Sequence, residues 1–216
     1  MMKTLCVAVV VLSLASVCQP APLACEKLLK PVDKGPDFSG RWHYIAVASE
    51  PCLDPLLLNV FKWSSVAVDV SSKDMSNIYN ASLKVKIFGY CLNESAEFLY
   101  ENNTIFNVDS RDESTDTLPV LLQSGCPDCI AVKKKDIINT FLLLSKRKTV
   151  TSAELKEFET QTQCLGLSKL QVLNSDHDYE ICKSFTHSTD ADPTETWSTL
   201  QEKLEKMYYE FIKCIS

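Results

Sequence analysis

From Gly40 to Arg147 apolar and polar residues alternate in short runs. Arg41 to Ser49 is the first predicted strand, and Trp63 to Val70 the second, with Val66, Val68 and Val70 at alternate positions. The third runs from Tyr79 to Tyr90, where Leu83, Val85 and Ile87 alternate with Ser82, Lys84 and Lys86. Ala96 to Tyr100, Thr104 to Val108, Leu118 to Gln123, Cys129 to Lys134 and Thr140 to Arg147 complete the set. A period of two marks a strand with one buried face. The links carry turn chemistry: Ser71-Ser72-Lys73-Asp74, Glu101-Asn102-Asn103, and Ser124-Gly125-Cys126-Pro127-Asp128. Eight short strands in meander order predict a mainly β protein, an antiparallel up-and-down barrel or a sandwich.

After Arg147 the period changes. Thr151-Ser152-Ala153-Glu154 is a capping box, followed by Leu155, Phe158, Thr162 and Leu165 at helical spacing. This predicts a helix over about 152–165 whose apolar stripe lies against the barrel. A second helix, over about 193–213, starts at Asp192-Pro193-Thr194-Glu195 with proline in the first turn. Trp197, Leu200, Leu204, Met207 and Phe211 share one of its faces. Both stripes read as packing surfaces.

The N-terminus sets the compartment. Lys3 precedes an apolar or small-residue run from Leu5 to Val17, and Ser16 and Cys18 offer small residues for cleavage before Gln19. Residues 1–18 are therefore expected to be a secretory signal peptide, too short to span a bilayer. The mature chain, 19–216, is expected to be one domain, with its barrel at about 40–148. The formal charge is −6 and the pI about 5.1, with no basic run beyond Lys133-Lys134-Lys135. That excludes nucleic acid and anionic membranes as partners.

A secreted chain is oxidised, so its cysteines read as a disulfide framework. Of ten cysteines, Cys6 and Cys18 fall in the leader. Cys25, Cys52, Cys91, Cys126, Cys129, Cys164, Cys182 and Cys214 remain, an even set whose spacing does not choose the pairs. A zinc site is disfavoured, because Cys126-x-x-Cys129 has no second pair or nearby histidine to complete it. Asn80-Ala81-Ser82, Asn93-Glu94-Ser95 and Asn102-Asn103-Thr104 are three N-glycosylation sequons, each of which must face solvent if occupied.

Gly40-Arg41-Trp42 opening the first strand, the eight strands and the helix after them resemble the lipocalin family. The resemblance implies an eight-stranded barrel with a flanking α-helix; the C-terminal helix is an addition. Gln19 to Val32, Trp42 to Ala46, and Cys91, Cys164 and Cys182 resemble its α1-acid glycoprotein (orosomucoid) branch. Fish saxitoxin/tetrodotoxin-binding and tributyltin-binding proteins belong to that likeness. It implies pairs Cys25–Cys164 and Cys91–Cys182, with Trp42 plugging the closed end under Arg147 or Lys146. The second lipocalin signature, threonine-aspartate-tyrosine, is Pro127-Asp128-Cys129 here. Lipocalin topology puts Cys52 at the open mouth and the Cys126/Cys129 turn at the closed end, which favours Cys126–Cys129 and Cys52–Cys214. The alternative is a free Cys214 joining two molecules.

Barrel interiors of this size hold one small ligand, and alternate residues face inward. If Asn80 is outside, Tyr79, Ala81, Leu83, Val85 and Ile87 point in. If Asn93 is outside, Ala96, Phe98 and Tyr100 point in. The resemblance adds Tyr44, Val66, Val68, Ile105, Asn107, Phe141 and Leu143. A β-bulge would move such assignments by one residue. The candidate ligand-binding set is Tyr44, Val66, Val68, Leu83, Ile87, Phe98, Tyr100, Asn107, Phe141 and Leu143.

No catalytic set is expected. Cys126-Pro127-Asp128-Cys129 has redox spacing but lies in a turn between strands, not where a strand enters a helix. No inward position holds the free cysteine that lipocalin prostaglandin isomerases use. His43 alternates outward from Tyr44, and Asp176-His177-Asp178 reads as a solvated turn distant from His187. Neither a phosphate loop, a G-x-S-x-G nor a cofactor motif is present. The resulting expectation is a monomeric, secreted plasma carrier of a small hydrophobic or amphiphilic molecule, such as a xenobiotic, toxin or lipid-like ligand. The alternative is an immunomodulatory plasma glycoprotein acting through protein contacts.

Overall fold

The computed structural model describes residues 21–50, 64–73, 77–87, 90–108, 118–135, 139–168, 170–173, 175–179, 181 and 183–184. It also describes 201–202, 205–206, 208–209 and 212–213, all helical, within the expected C-terminal helix. The stripe Trp197, Leu200, Leu204, Met207 and Phe211 lies outside the described residues, as do the leader, Cys52, Cys182, His187 and Cys214.

The element order is helix α1 (Ala21–Leu28), β1 (Gly40–Ser49), β2 (Ser64–Ser72), β3 (Ile78–Ile87), β4 (Tyr90–Glu101), β5 (Thr104–Asn107), β6 (Val120–Leu122), β7 (Cys129–Lys134) and β8 (Thr140–Ser145). Helix α2 (Ser152–Cys164) and the short β9 (Gln171–Val172) and β10 (Lys183–Ser184) follow. Antiparallel pairing runs β4-β3-β2-β1-β8-β7-β6-β5, and β5 pairs back onto β4. The eight strands thus close into an antiparallel barrel, the one of the two architectures left open by the alternation that the lipocalin resemblance implied.

Three differences from the expected elements have local causes. β4 starts at Tyr90 rather than Ala96. Its polar Asn93-Glu94-Ser95 looks like a turn, yet these residues pair with Lys84, Leu83 and Ser82 of β3, where water reaches the strand. β1 carries a bulge between Tyr44 and Ala46 that reverses its alternation, so Tyr44 aligns with Leu144 but Val47 with Leu142. The unforeseen α1 docks through Cys25–Cys164 onto the end of α2.

Gly40 has φ 104, a left-handed conformation in which a side chain is strained, and it turns the chain into β1. Asn102 and Asn103 both have positive φ, 50 and 64, as a two-residue hairpin between paired Glu101 and Thr104 requires. Such a turn presents Asn102 to solvent.

Two apolar layers form. Outside the barrel, α2 covers the outer face of β6, β7, β8 and β1 through Phe158, with Ala46, Leu122, Ala131, Phe141 and Leu143 beneath it. The capping box is present: Thr151 Oγ1 accepts from the Glu154 N–H at 3.3 Å, and Glu154 accepts from the Thr151 N–H at 2.7 Å. Those bonds, led by the Thr151 backbone N–H and then Arg147, hold the Glu154 carboxyl below its usual pKa. Inside the barrel, Trp42, Val70, Tyr100, Leu121, Ile130, Val132 and Leu144 form the second layer, joined by Phe38 from the segment before β1. Among the described residues no helix is long and apolar enough to cross a membrane.

Candidate functional site

The barrel interior is the candidate site, and its floor is aromatic. Trp42 is only 2% exposed and donates its indole N–H to the Phe38 carbonyl at 2.7 Å. The Phe38 ring packs edge-on against Tyr79, Phe98 and Tyr100, with centroids 5.1, 5.6 and 4.8 Å away. Tyr79 and Phe98 stack at 5.1 Å. Offset and edge-on pairs of this kind add to plain area burial. The resemblance-based role of Trp42 is thus matched by its burial, and Lys146, not Arg147, covers it: the ammonium is 5.1 Å from the indole centroid. Arg147 instead reaches Glu154 at 2.7 Å, joining the end of β8 to the cap of α2.

Above the floor the expected lining divides. Tyr44, Val68 and Phe98 pack against the inner layer, and Tyr100 belongs to it. Val66 is buried two residues from Val68, and Leu83 pairs with Val68 across the strands. Two residues beyond inner Ile105, Asn107 is exposed at the end of β5. The Ile87 side chain lies outside the described residues. Burial pushes the Tyr44 phenol above its usual pKa, so it is a neutral hydroxyl inside the barrel.

Phe141 and Leu143 do not face the barrel interior. Both lie in the outer layer, and Phe141 stacks on Phe158 of α2 with centroids 4.3 Å apart. Leu142 and Leu144 take the inward positions instead. The stretch Phe141-Leu142-Leu143-Leu144 is apolar on both faces because one side meets the barrel interior and the other meets α2, so its alternation carries no phase. The demand of α2 for a partner surface signals that one face of this run turns outward, and docking against Phe158 makes it the face of Phe141 and Leu143. Ile130, Val132 and Leu121 are further inner residues that the strand pattern left unassigned.

The outer surface carries the remaining candidates. Asn80 alternates with inner Tyr79 and Ala81, and Asn93 and Asn102 are exposed. Cys25–Cys164 and Cys126–Cys129 are disulfides, and Cys91 is disulfide-bonded. Lys183 and Ser184 run beside Tyr90 and Cys91. His43 faces outward as expected, but His177 does not stand in an isolated turn: both meet Tyr179 outside β1 and β2. Their positions lie far apart in the chain, and no local pattern announces the meeting.

Along β4, the inner alternation from Phe98 leads back through Ala96 and Glu94 to Leu92, all exposed. The alternation of β7 from Val132 leads to half-buried Lys134. The apolar and aromatic interior thus also carries Glu94 beside Leu83, Asn107 beside Phe98, and Lys134 at the end of β7. Such a lining, mostly apolar with a few polar groups, suits a ligand with an apolar body and a polar group.

Known proteins share this architecture. The ApoM domain model matches residues 9–184. No curated protein matches the chain. The structure is similar to lipocalin 12 from rat epididymis, with TM-score 0.54 and 15% identity over 71% of this chain and 95% of that one. It is also similar to the siderocalin Ex-FABP, which functions through dual ligand specificities, with TM-score 0.50 and 15% identity over 64% and 94% of the two chains. A closed eight-stranded barrel with a tryptophan-plugged floor, an outer helix and this match place the chain in the ApoM-domain family, with a lipocalin fold.

Proposed function

We propose that this protein is a secreted carrier that holds one small hydrophobic or amphiphilic molecule inside the barrel. The observation that carries the reading is the closed barrel with an aromatic floor at Trp42, Phe38 and Tyr100, apolar walls at Val68 and Leu142, and a few polar groups among them, the Tyr44 hydroxyl included. Xenobiotics, toxins and lipid-like molecules fit this lining. Lining residues on our reading are Tyr44, Val66, Val68, Leu83, Phe98, Tyr100 and Asn107 from the expected set, with Leu142 added. Binding rather than catalysis, monomeric state, a cleaved leader at 1–18 and glycans at Asn80, Asn93 and Asn102 belong to the same proposal. So do the pairs Cys91–Cys182 and Cys52–Cys214, and kinship with the α1-acid glycoprotein branch.

A fluorescent hydrophobic probe tests the reading. Saturable binding at one probe per chain, reversed stoichiometrically by small amphiphiles, is the expected result. No displaceable binding would overturn it and favour action through protein contacts. Native mass spectrometry of protein from its source fluid would then identify any retained small molecule.

A further inference from the structure

The segment after α2 crosses the outside of the barrel. It starts as β9 beside Ala46 and Val47 of β1, and ends as β10 beside Tyr90 and Cys91 of β4. Between them it passes over β2 and β3. Leu173 donates its N–H to the Ile45 carbonyl at 2.9 Å. Asp176 accepts from the Ser65 hydroxyl at 2.7 Å and pairs with Lys86 at 2.6 Å. Among the described residues the β1–β2 ladder stops at His43 and Ala67. Beyond that pair, this arch covers the seam between the two strands.

The arch is held at one phenol. The Tyr179 hydroxyl lies 3.0 Å from His43 Nδ1, 3.2 Å from His177 Nδ1, 3.3 Å from Ser175 Oγ and 3.5 Å from the Val66 carbonyl. His43 and Tyr179 are each 5% exposed. A phenol has one proton. With both imidazoles neutral it can donate to one Nδ1 and accept an N–H from the other. A proton added to the accepting imidazole makes both nitrogens donors, and the phenol proton must turn to Ser175 or the Val66 carbonyl.

Charge then decides how well that state is tolerated. The two imidazole rings are 5.1 Å apart. Arg41 of β1 lies 5.9 Å over the Tyr179 ring, Lys148 follows β8, and Lys84 and Lys86 stand on β3. Against these cations are Asp69 of β2 and Asp176 and Asp178 of the arch. Asp69 is already engaged by Arg41 at 2.6 Å and Lys84 at 3.2 Å, and Asp176 by Lys86. Burial first, then His177, Arg41 and Lys148, holds the His43 pKa below its usual value. Burial first, then Lys148, does the same for His177.

We propose that the arch from Leu173 to Tyr179 is a pH-sensitive latch on the β1–β2 seam, fastened by neutral His43 and His177 through the Tyr179 hydroxyl and released when both imidazoles take protons. The docked arch binds these protons more weakly than the released one does. Docking is therefore fully present above the ordinary imidazole value of about 6.5 and weakens as pH falls below it.

Hydrogen exchange on the ligand-free full chain tests the latch independently of carrier function. Labelling times are scaled for the intrinsic effect of pH, and peptides spanning Leu173–Tyr179 are compared at about pH 7.4 and about pH 5. The expected result is a loss of protection of about tenfold in that segment, with β7 and β8 unchanged. The H43Q/H177Q double variant is expected to keep equal protection at both pH values, because glutamine donates and accepts without titrating. Tyr179→Phe is expected to lower protection at neutral pH and flatten the pH response. Equal protection of the native arch at both pH values would overturn the proposal. So would an unchanged acid response in either variant, or a loss spread evenly through β7 and β8.

Discussion

The Lys146 ammonium sits 5.1 Å over the Trp42 indole, sealing the closed end of the barrel from outside. The same lysine reaches Asp37 at 3.4 Å, just before the Phe38 carbonyl that takes the indole N–H. Trp42 is thus held from the end of β8 and from the segment leading into β1. Removing it leaves a cavity and an unpartnered carbonyl. Trp42→Ala is expected to lose about 3–5 kcal/mol in urea unfolding, and Lys146→Met about 0.5–1 kcal/mol. A loss below about 1 kcal/mol for Trp42→Ala would show that the indole is not the plug.

The phase of β8 separates stability from binding. Phe141→Ala removes a ring stacked on Phe158 outside the barrel, and is expected to lose about 3–5 kcal/mol while leaving probe affinity per folded molecule unchanged. Leu142→Trp places bulk inside and is expected to weaken probe binding about tenfold or more. Probe titration of both variants decides it. Weaker binding in Phe141→Ala with native affinity in Leu142→Trp would reverse the assignment.

Two disulfides differ greatly in the loop they close. Cys25 and Cys164 are 139 positions apart, and Cys126 and Cys129 only 3. Chain entropy in the unfolded state then predicts losses of about 5 and about 2 kcal/mol for the respective double serine variants. Guanidinium unfolding measures both. Equal losses would show that local packing, rather than loop closure, governs their contribution.

Acid acts on Asp176 separately from the histidines. The Lys86 hydrogen bond, the largest cause, lowers its pKa to about 2. A carboxylate with a lowered folded pKa stabilises the fold above its ordinary value of 3.8, and that contribution disappears as pH falls from there to about 2. Half its side chain is exposed, so solvent screens the pair and Asp176→Asn is expected to lose less than about 1 kcal/mol at neutral pH. The difference from the native protein should vanish near pH 2; a constant difference down to that pH would rule out the charge as its cause.

Patterns complete within a few residues were legible in the chain. The period-two runs marked all eight strands, Thr151 to Glu154 marked the start of α2, and Gly40-Arg41-Trp42 marked the start of the barrel. For β3 and the lower half of β4 the sequons at Asn80 and Asn93 gave the alternation a direction, and Tyr79, Ala81 and Phe98 do pack against the inner layer; for β2 the direction came from the resemblance. Tertiary structure decided the rest. The bulge after Tyr44 reverses β1 within one residue, and the apolar run Phe141 to Leu144 acquires inside and outside only when α2 docks. His43 and Tyr179, 136 positions apart, meet because the segment after α2 folds back across the seam. Such a contact depends on where the whole chain closes, and neither residue carries a local mark of it.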